Sequence, residues 1–201
     1  MNLAAIVLAA GASSRMGRAK ALLPWQDSTL LAHEIEVLRD VGVERIAVVI
    51  GMHAQQIRRA VPVPMPFVFN PRWAQGRSTS LAAGARMLRR EPRPDAIVVQ
   101  NVDQPTTSEV IRRLVEALET SGADAAQPVY RDAEGVEHGG HPVLLSGALL
   151  PALVEAREAT EGLRGVLAKK RIERVSIDDP TVGLDLDTRE AYEAAKAALG
   201  A

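Results

Sequence analysis

Residues 3–20 read Leu3-Ala4-Ala5-Ile6-Val7-Leu8-Ala9-Ala10-Gly11-Ala12-Ser13-Ser14-Arg15-Met16-Gly17-Arg18-Ala19-Lys20, and the fold turns on them. Leu3 to Ala9 is a short continuous apolar run that ends in small residues and Gly11. That is the pattern of a central strand covered on both faces. The run sits where a secretory leader would, but it lacks a basic n-region and passes straight into a polar loop, so it reads as a strand. Gly11 to Ala21 is that loop, rich in Gly, Ser, Arg and Lys.

Outward from this point the period alternates. Thr29 to Val41 has helical spacing, with Ser28 or Thr29 as its cap and Gly42 just past its end. Arg45 to Ile50 is the next apolar run, and a short helix follows around Ala54 to Ala60. Val61 to Pro66 is Pro-rich, which leaves Pro66 to Asn70 as the next strand. A helix over Leu81 to Arg90, a strand over Ala96 to Gln100, a helix over Glu109 to Thr120 and a strand over Ala123 to Val129 continue the rhythm. This alternation predicts an α/β fold, a mostly parallel sheet with helices on both faces. Arg131 to Gly140 interrupts it and reads as a hairpin or an excursion over the site. Pro142 to Leu145, helices near Gly147 to Ala156 and Leu163 to Lys169, a strand at Ile172 to Ile177 and a closing helix over Thr188 to Leu199 complete the chain. No repeat, low-complexity tract or linker divides it, so residues 1–201 read as a single domain.

Composition narrows the function. The 201 residues are 47% hydrophobic and 24% charged, which suits a folded globular chain. A formal net charge of -1 gives no bulk grip on nucleic acid, and 3% aromatic residues leave little to stack on bases. No run approaches the 18 or so apolar residues of a membrane span. There is no cysteine, which excludes disulfides, Cys-ligated metals and a Cys nucleophile, and suits a cytoplasmic location.

The loop after the first strand lies where α/β sheets bind ligands. Ala9, Ala10 and Gly11 let the backbone approach a ligand closely, and successive N–H groups in such a turn cradle an anion. Arg15 and Lys20 add two positive charges, a combination suited to a polyphosphate. Neither G-x-x-x-x-G-K-[ST] nor G-x-G-x-x-G is present, and a loop with solvated basic residues is the plainer alternative. Asp103 follows the strand Ala96 to Gln100 and should project from the same sheet edge. There it either helps to hold Mg²⁺ or caps the next turn. Asp185 and Asp187 have strand-like i, i+2 spacing, and one of them could complete a metal site. With Glu190 placed for a capping box, Asp187 reads as the helix cap and Asp185 as the ligand. No Ser–His–Asp signature is evident, so covalent catalysis has no evident agent.

With these segments in place, the chain resembles the small nucleotidyltransferases that activate the molybdenum cofactor, and in particular the molybdenum cofactor cytidylyltransferases. The resemblance rests on L-A-A-G-x-S-x-R-M-G-x-x-K with Leu22-Leu23-Pro24 behind it, on Gly76 to Gly84, on Asp-x-Pro at Asp103, on Gly140-His141-Pro142-Val143 and on Asp185 to Thr188. It implies a three-layer α/β/α sandwich, Rossmann-like, of the nucleotide-diphospho-sugar transferase type. It implies that an acceptor phosphate attacks the α-phosphorus of a nucleoside triphosphate and releases pyrophosphate. Leu8, Ala9, Ala10 and Gly11 would line the nucleotide, with Asn70, Gly76 and Ser80 near its base or ribose. Arg15 and Lys20 would hold the triphosphate, Asp103 and Asp185 would hold Mg²⁺, and Gly140, His141 and Pro142 would face a molybdopterin-type acceptor. Ala10, where GTP users tend to carry Gly, points to CTP. A client molybdoenzyme, such as a xanthine dehydrogenase-like hydroxylase, is the implied protein partner. The chain departs from the family pattern at Gln104 and in the stretch Ala159 to Gly165. Two alternatives stand beside this expectation: a sugar-phosphate or other phosphorylated acceptor, and a non-catalytic chaperone that holds the cofactor for insertion.

Overall fold

The strand β1 (Leu3–Ala9) runs through the middle of the molecule, and Ala4 to Val7 are wholly shielded from solvent. The structure, a computed structural model, describes residues 1–13, 16–61, 66–90, 92–157 and 162–201. Arg15 and residues 159–161 fall outside them. Numbered in chain order, β1 pairs in parallel with β4 (Arg45–Ile50) on one side and β6 (Ala96–Asn101) on the other. β5 (Phe67–Phe69) adds in parallel to β4. Beyond β6 comes β9 (Val143–Ser146), antiparallel to both β6 and β7 (Ala125–Arg131), and β10 (Ile172–Ser176) pairs in parallel with β7. The order across the sheet is β10-β7-β9-β6-β1-β4-β5. β8 (Glu137–Gly139) folds back on β7, so the polar excursion at 131–140 is a hairpin. A small separate hairpin, β2 (Pro24–Trp25) with β3 (Ser28–Thr29), had no periodic signal because its strands are two residues long.

Each face of the sheet is covered. Leu3, Ala5, Val7 and Ala9 point to the layer formed by α1 (Leu30–Asp40), α4 (Ser108–Ser121) and α7 (Arg189–Leu199). Ala4 and Ile6 point to the layer of α3 (Arg77–Leu88) and α5 (Leu150–Val154). This is a three-layer α/β/α sandwich on a mostly parallel mixed sheet. The alternation of β1 between two apolar layers is why its sequence is a continuous hydrophobic run. α3 lies close against the sheet through Gly84, where a Cβ would come within 2.5 Å of Ile6 Cγ2. Shorter helices α2 (Ala54–Ala60) and α6 (Leu163–Leu167) flank the sheet's C-terminal edge. Among the described residues no helix is long and apolar enough to cross a membrane.

Most elements match the sequence reading to within two or three residues, and two differences have a clear physical reason. α3 starts at Arg77, four residues before the expected Leu81. Gly76, with φ at 118°, turns the chain into it, and the serines and threonine of its first turn hid the helix because they favour caps and turns in isolation. The cap of α7 is Thr188, whose hydroxyl accepts from the Ala191 N–H at 3.2 Å, and not Asp187. The Asp187 carboxylate is drawn instead to an ammonium, which a hydrogen bond to a backbone amide does not match.

Candidate active site

The register of the central strands makes the site. Leu8 lies opposite Asn101 and Ala9 opposite Ile50, so β1, β4 and β6 end together. The ladder continues one step further, with the Val102 N–H donating to Leu8 O at 3.2 Å and the Met52 N–H to Ala10 O at 3.3 Å. The loops after β1 and β6 therefore leave the sheet side by side, at its C-terminal edge. His53 Nε2 donates to Ala12 O at 3.0 Å, and the Lys20 N–H donates to Ser13 Oγ at 3.2 Å. These two bonds fix the first loop at both of its ends.

Lys20 begins a 3₁₀ turn (Lys20–Leu22) and is 9% exposed. Its ammonium lies 2.9 Å from Asp103 and 2.5 Å from Asp187. Burial alone would lower its pKa, but the hydrogen bonds and charges of Asp187 and Asp103 outweigh that and raise it. The Leu186 N–H donates to Asp103 O at 2.9 Å, which stitches the two acidic loops together through the backbone. Asp103, Asp185 and Asp187 each present an oxygen within 4.8 Å of the others. Burial first, and then the charges of Asp187 and Asp103, push the Asp185 carboxyl above the usual range. Three crowded carboxylates with hard oxygen donors fit a divalent cation such as Mg²⁺, which favours such ligands and keeps waters for a phosphate to displace. Asp187, read from sequence as a cap, is thus a member of this cluster. Its i, i+2 spacing from Asp185 was the available signal, and the capping pattern masked it.

Two cavities open along this edge. The first, of about 360 Å³, is lined by Leu8, Ala9, Ala10, Gly11, Lys20 and Ser80 of the expected nucleotide set, and by Asp103 and Asp187. Asn70 and Gly76 stand behind its wall. Asn70 is 2% exposed and its side-chain amide donates to Thr79 Oγ1 at 2.8 Å and Ser80 Oγ at 2.9 Å. It orients a serine that lines the cavity, while Gly76 shapes the entry to α3. The second cavity, of about 680 Å³, is lined by His141, Gln127 and several aliphatic side chains. Its wall does not include Gly140 or Pro142, both of which are buried. A Cβ on Gly140 would lie 2.4 Å from Val182 O, so this position holds the backbone of 182–187 close by. Burial and the charge of Arg77 lower the His141 pKa to about 4, and its Nδ1 is buried without a hydrogen-bond partner.

Behind the Asp103 loop stands a pair that sequence reasoning missed. His33 Nε2 donates to Thr106 O at 3.0 Å and the Thr106 N–H donates to Glu34 Oε1 at 3.3 Å, so α1 holds both backbone polar groups of one residue, and with them the two successive peptides that flank it. Glu34 is completely buried, and burial pushes its carboxyl well above the usual range. A neutral Glu34 avoids the cost of a lone buried charge. Among the other charged residues of the amphipathic α1, it carried no sequence cue to this role.

A family model described as the MobA-like NTP transferase domain matches residues 5–175. The chain belongs to that family. It is therefore a nucleotidyltransferase of the MobA-like type, on the sandwich described above. Over 193 residues it is 30% identical to the molybdenum cofactor cytidylyltransferase of Escherichia coli K12, covering 95% of this chain and 94% of the relative. Over 190 residues it is 31% identical to the nicotine blue oxidoreductase of Paenarthrobacter nicotinovorans, covering 92% of each. Among solved structures, Rv0371c of Mycobacterium tuberculosis H37Rv superimposes with a TM-score of 0.78 at 26% identity, covering 97% of each chain.

Proposed function

We propose that this protein transfers CMP from CTP to the terminal phosphate of molybdopterin, with release of pyrophosphate and with Mg²⁺ as cofactor. The observation that carries the reading is the meeting of Lys20 with Asp103 and Asp187 at one edge of the sheet, 2.9 and 2.5 Å apart. Phosphoryl-type transfer depends on positioning and charge neutralisation, and this site supplies both without a protein nucleophile. The likeness to the E. coli cytidylyltransferase over almost the whole chain supports the donor and the acceptor. Ala10, which lines the first cavity, supports CTP over GTP.

In this mechanism Leu8 to Gly11 hold the nucleoside against the end of β1. Lys20 faces the triphosphate and stabilises charge that develops on it, with Arg15 assigned the same task. Asp103, Asp185 and Asp187 would hold Mg²⁺, whose contribution is to offset phosphate charge. The first-loop amides orient the donor, and the second cavity takes the acceptor's body. The reaction takes place in the cytoplasm, and its product passes to a client molybdoenzyme.

The test is transfer of label from [α-³²P]CTP to molybdopterin, run beside GTP, ATP, a sugar phosphate and an alditol phosphate. Label on molybdopterin from CTP is the expected result. Transfer only to a sugar or alditol phosphate would replace the acceptor, and tight CTP binding with no transfer to any acceptor would favour a carrier.

A further inference from the structure

We propose that Arg77 is the residue that receives the acceptor's phosphate, and so sets the enzyme's preference for a phosphomonoester carried on a largely apolar body. This rests on the nucleotidyl-transfer reading above. The two cavities share three residues of their walls, Leu8, Arg77 and Asn101, so they meet where β1 and β6 end. Transfer needs the acceptor oxygen within about 3–3.5 Å of the donor phosphorus. The acceptor phosphate must therefore come to that junction, while the rest of the acceptor lies in the second cavity.

Among the described residues, one cation lines both cavities without a partner in the protein. Lys20 is on the donor side and is engaged by Asp103 and Asp187. His141 faces the acceptor cavity but is neutral near pH 7, because its pKa is lowered to about 4. A neutral imidazole brings no charge to a phosphate. Arg164 lines the second cavity alone and already has a partner within the protein. Arg77 is exposed at the junction, and its guanidinium makes no hydrogen bond or salt bridge among the described residues. Its charge reaches into the second cavity, where it helps to lower the pKa of His141. A guanidinium with free donors matches a phosphate's geometry bidentately.

The second cavity defines what the phosphate is attached to. Leu81, Val99, Val143, Leu163 and Leu167 give it an apolar lining, with Gln127 and His141 among its polar members. A body with few hydroxyls suits this lining better than a polyhydroxylated sugar, whose hydroxyls would lose water against aliphatic side chains.

The experiment compares wild type, Arg77→Leu and Arg77→Lys for CTP and molybdopterin kinetics. It also measures inhibition by dephosphorylated molybdopterin. Arg77 is exposed, so circular dichroism and thermal melting should match wild type. Arg77→Leu is expected to raise the molybdopterin KM roughly 10- to 100-fold, the loss of a charge-assisted contact. The CTP KM should stay within about threefold, inhibition by the dephosphorylated form should be unchanged, and Arg77→Lys should recover part of the loss. An unchanged molybdopterin KM, or a rise in the CTP KM instead, overturns the assignment while leaving nucleotidyl transfer standing. Wild type that binds CTP but never modifies molybdopterin overturns the functional reading, and this inference with it.

Discussion

Replacing Lys20 with Met keeps the length of the stem and deletes the charge. The stem lies in a buried turn, and the ammonium bridges Asp103 and Asp187 at 2.9 and 2.5 Å. Loss of one donor poised on developing charge costs about 10²–10³ in rate, or roughly 3–4 kcal/mol of transition-state stabilisation. Stability should respond less. The Asp187 side chain is 50% exposed, which screens its half of the bridge, whereas Asp103 is 20% exposed. A net loss of about 1–2 kcal/mol is expected without metal, or about 2–8 °C in Tm for a chain of this size. Three carboxylates would then face one another without the ammonium, so Mg²⁺ should restore more of the Tm in the variant than in wild type. Pyrophosphate release and scanning calorimetry, each with and without Mg²⁺, give both numbers. Turnover within a few fold of wild type, in a folded variant, would refute the role assigned to Lys20.

Other perturbations reach the metal cluster, the buried titratable groups and the core. Asp103→Asn and Asp185→Asn should each shift the Mg²⁺ titration of activity to higher concentration, and Asp187→Asn should do so as well if all three carboxylates share the ion; a curve unmoved by any of them would remove the metal from this cluster. Glu34 has a raised pKa, so the unfolded chain releases its proton first and stability should fall as pH rises above about 4.5. Glu34→Gln should flatten that slope in denaturant titrations, and an unaltered slope would mean the carboxyl is not held neutral. His141 shows the opposite dependence: the unfolded chain takes up its proton first, so up to about 3 kcal/mol should be lost between pH 6.5 and 4, and His141→Gln should lose less. Gly84→Val would drive side-chain atoms into Ile6 and Val49, and urea melts should show a loss of about 1–3 kcal/mol with little change in m-value.

Much of the architecture could be read from local pattern. β1, β4 and β6 are continuous apolar runs because helices cover both of their faces, and the loop after β1 announced itself by Gly11, Arg15 and Lys20. The register that sets Leu8 opposite Asn101 could not be read, because pairing of distant strands leaves no mark in either one. Three site features were hidden for the same kind of reason. Asp187 carried a good capping signature, and only the approach of Lys20 across 167 positions recruits it elsewhere. Asn70 looked like a base-reading residue, yet its amide is used up on Thr79 and Ser80. Arg77 lay ahead of Leu81, where the helical spacing begins, and its place at the head of α3 emerges once Gly76 takes a positive φ. Chemistry-bearing residue types were legible, whereas their partners depended on tertiary contact.

The most direct test is a crystal structure of the protein grown with Mg²⁺ and a non-hydrolysable CTP analogue. The cytosine should lie against residues 8–11, with the phosphates reaching Lys20 and a metal ion bridging them to Asp103 and its neighbouring carboxylates. A nucleotide seated in the cavity beside His141, with its phosphates turned away from Lys20, would contradict the account.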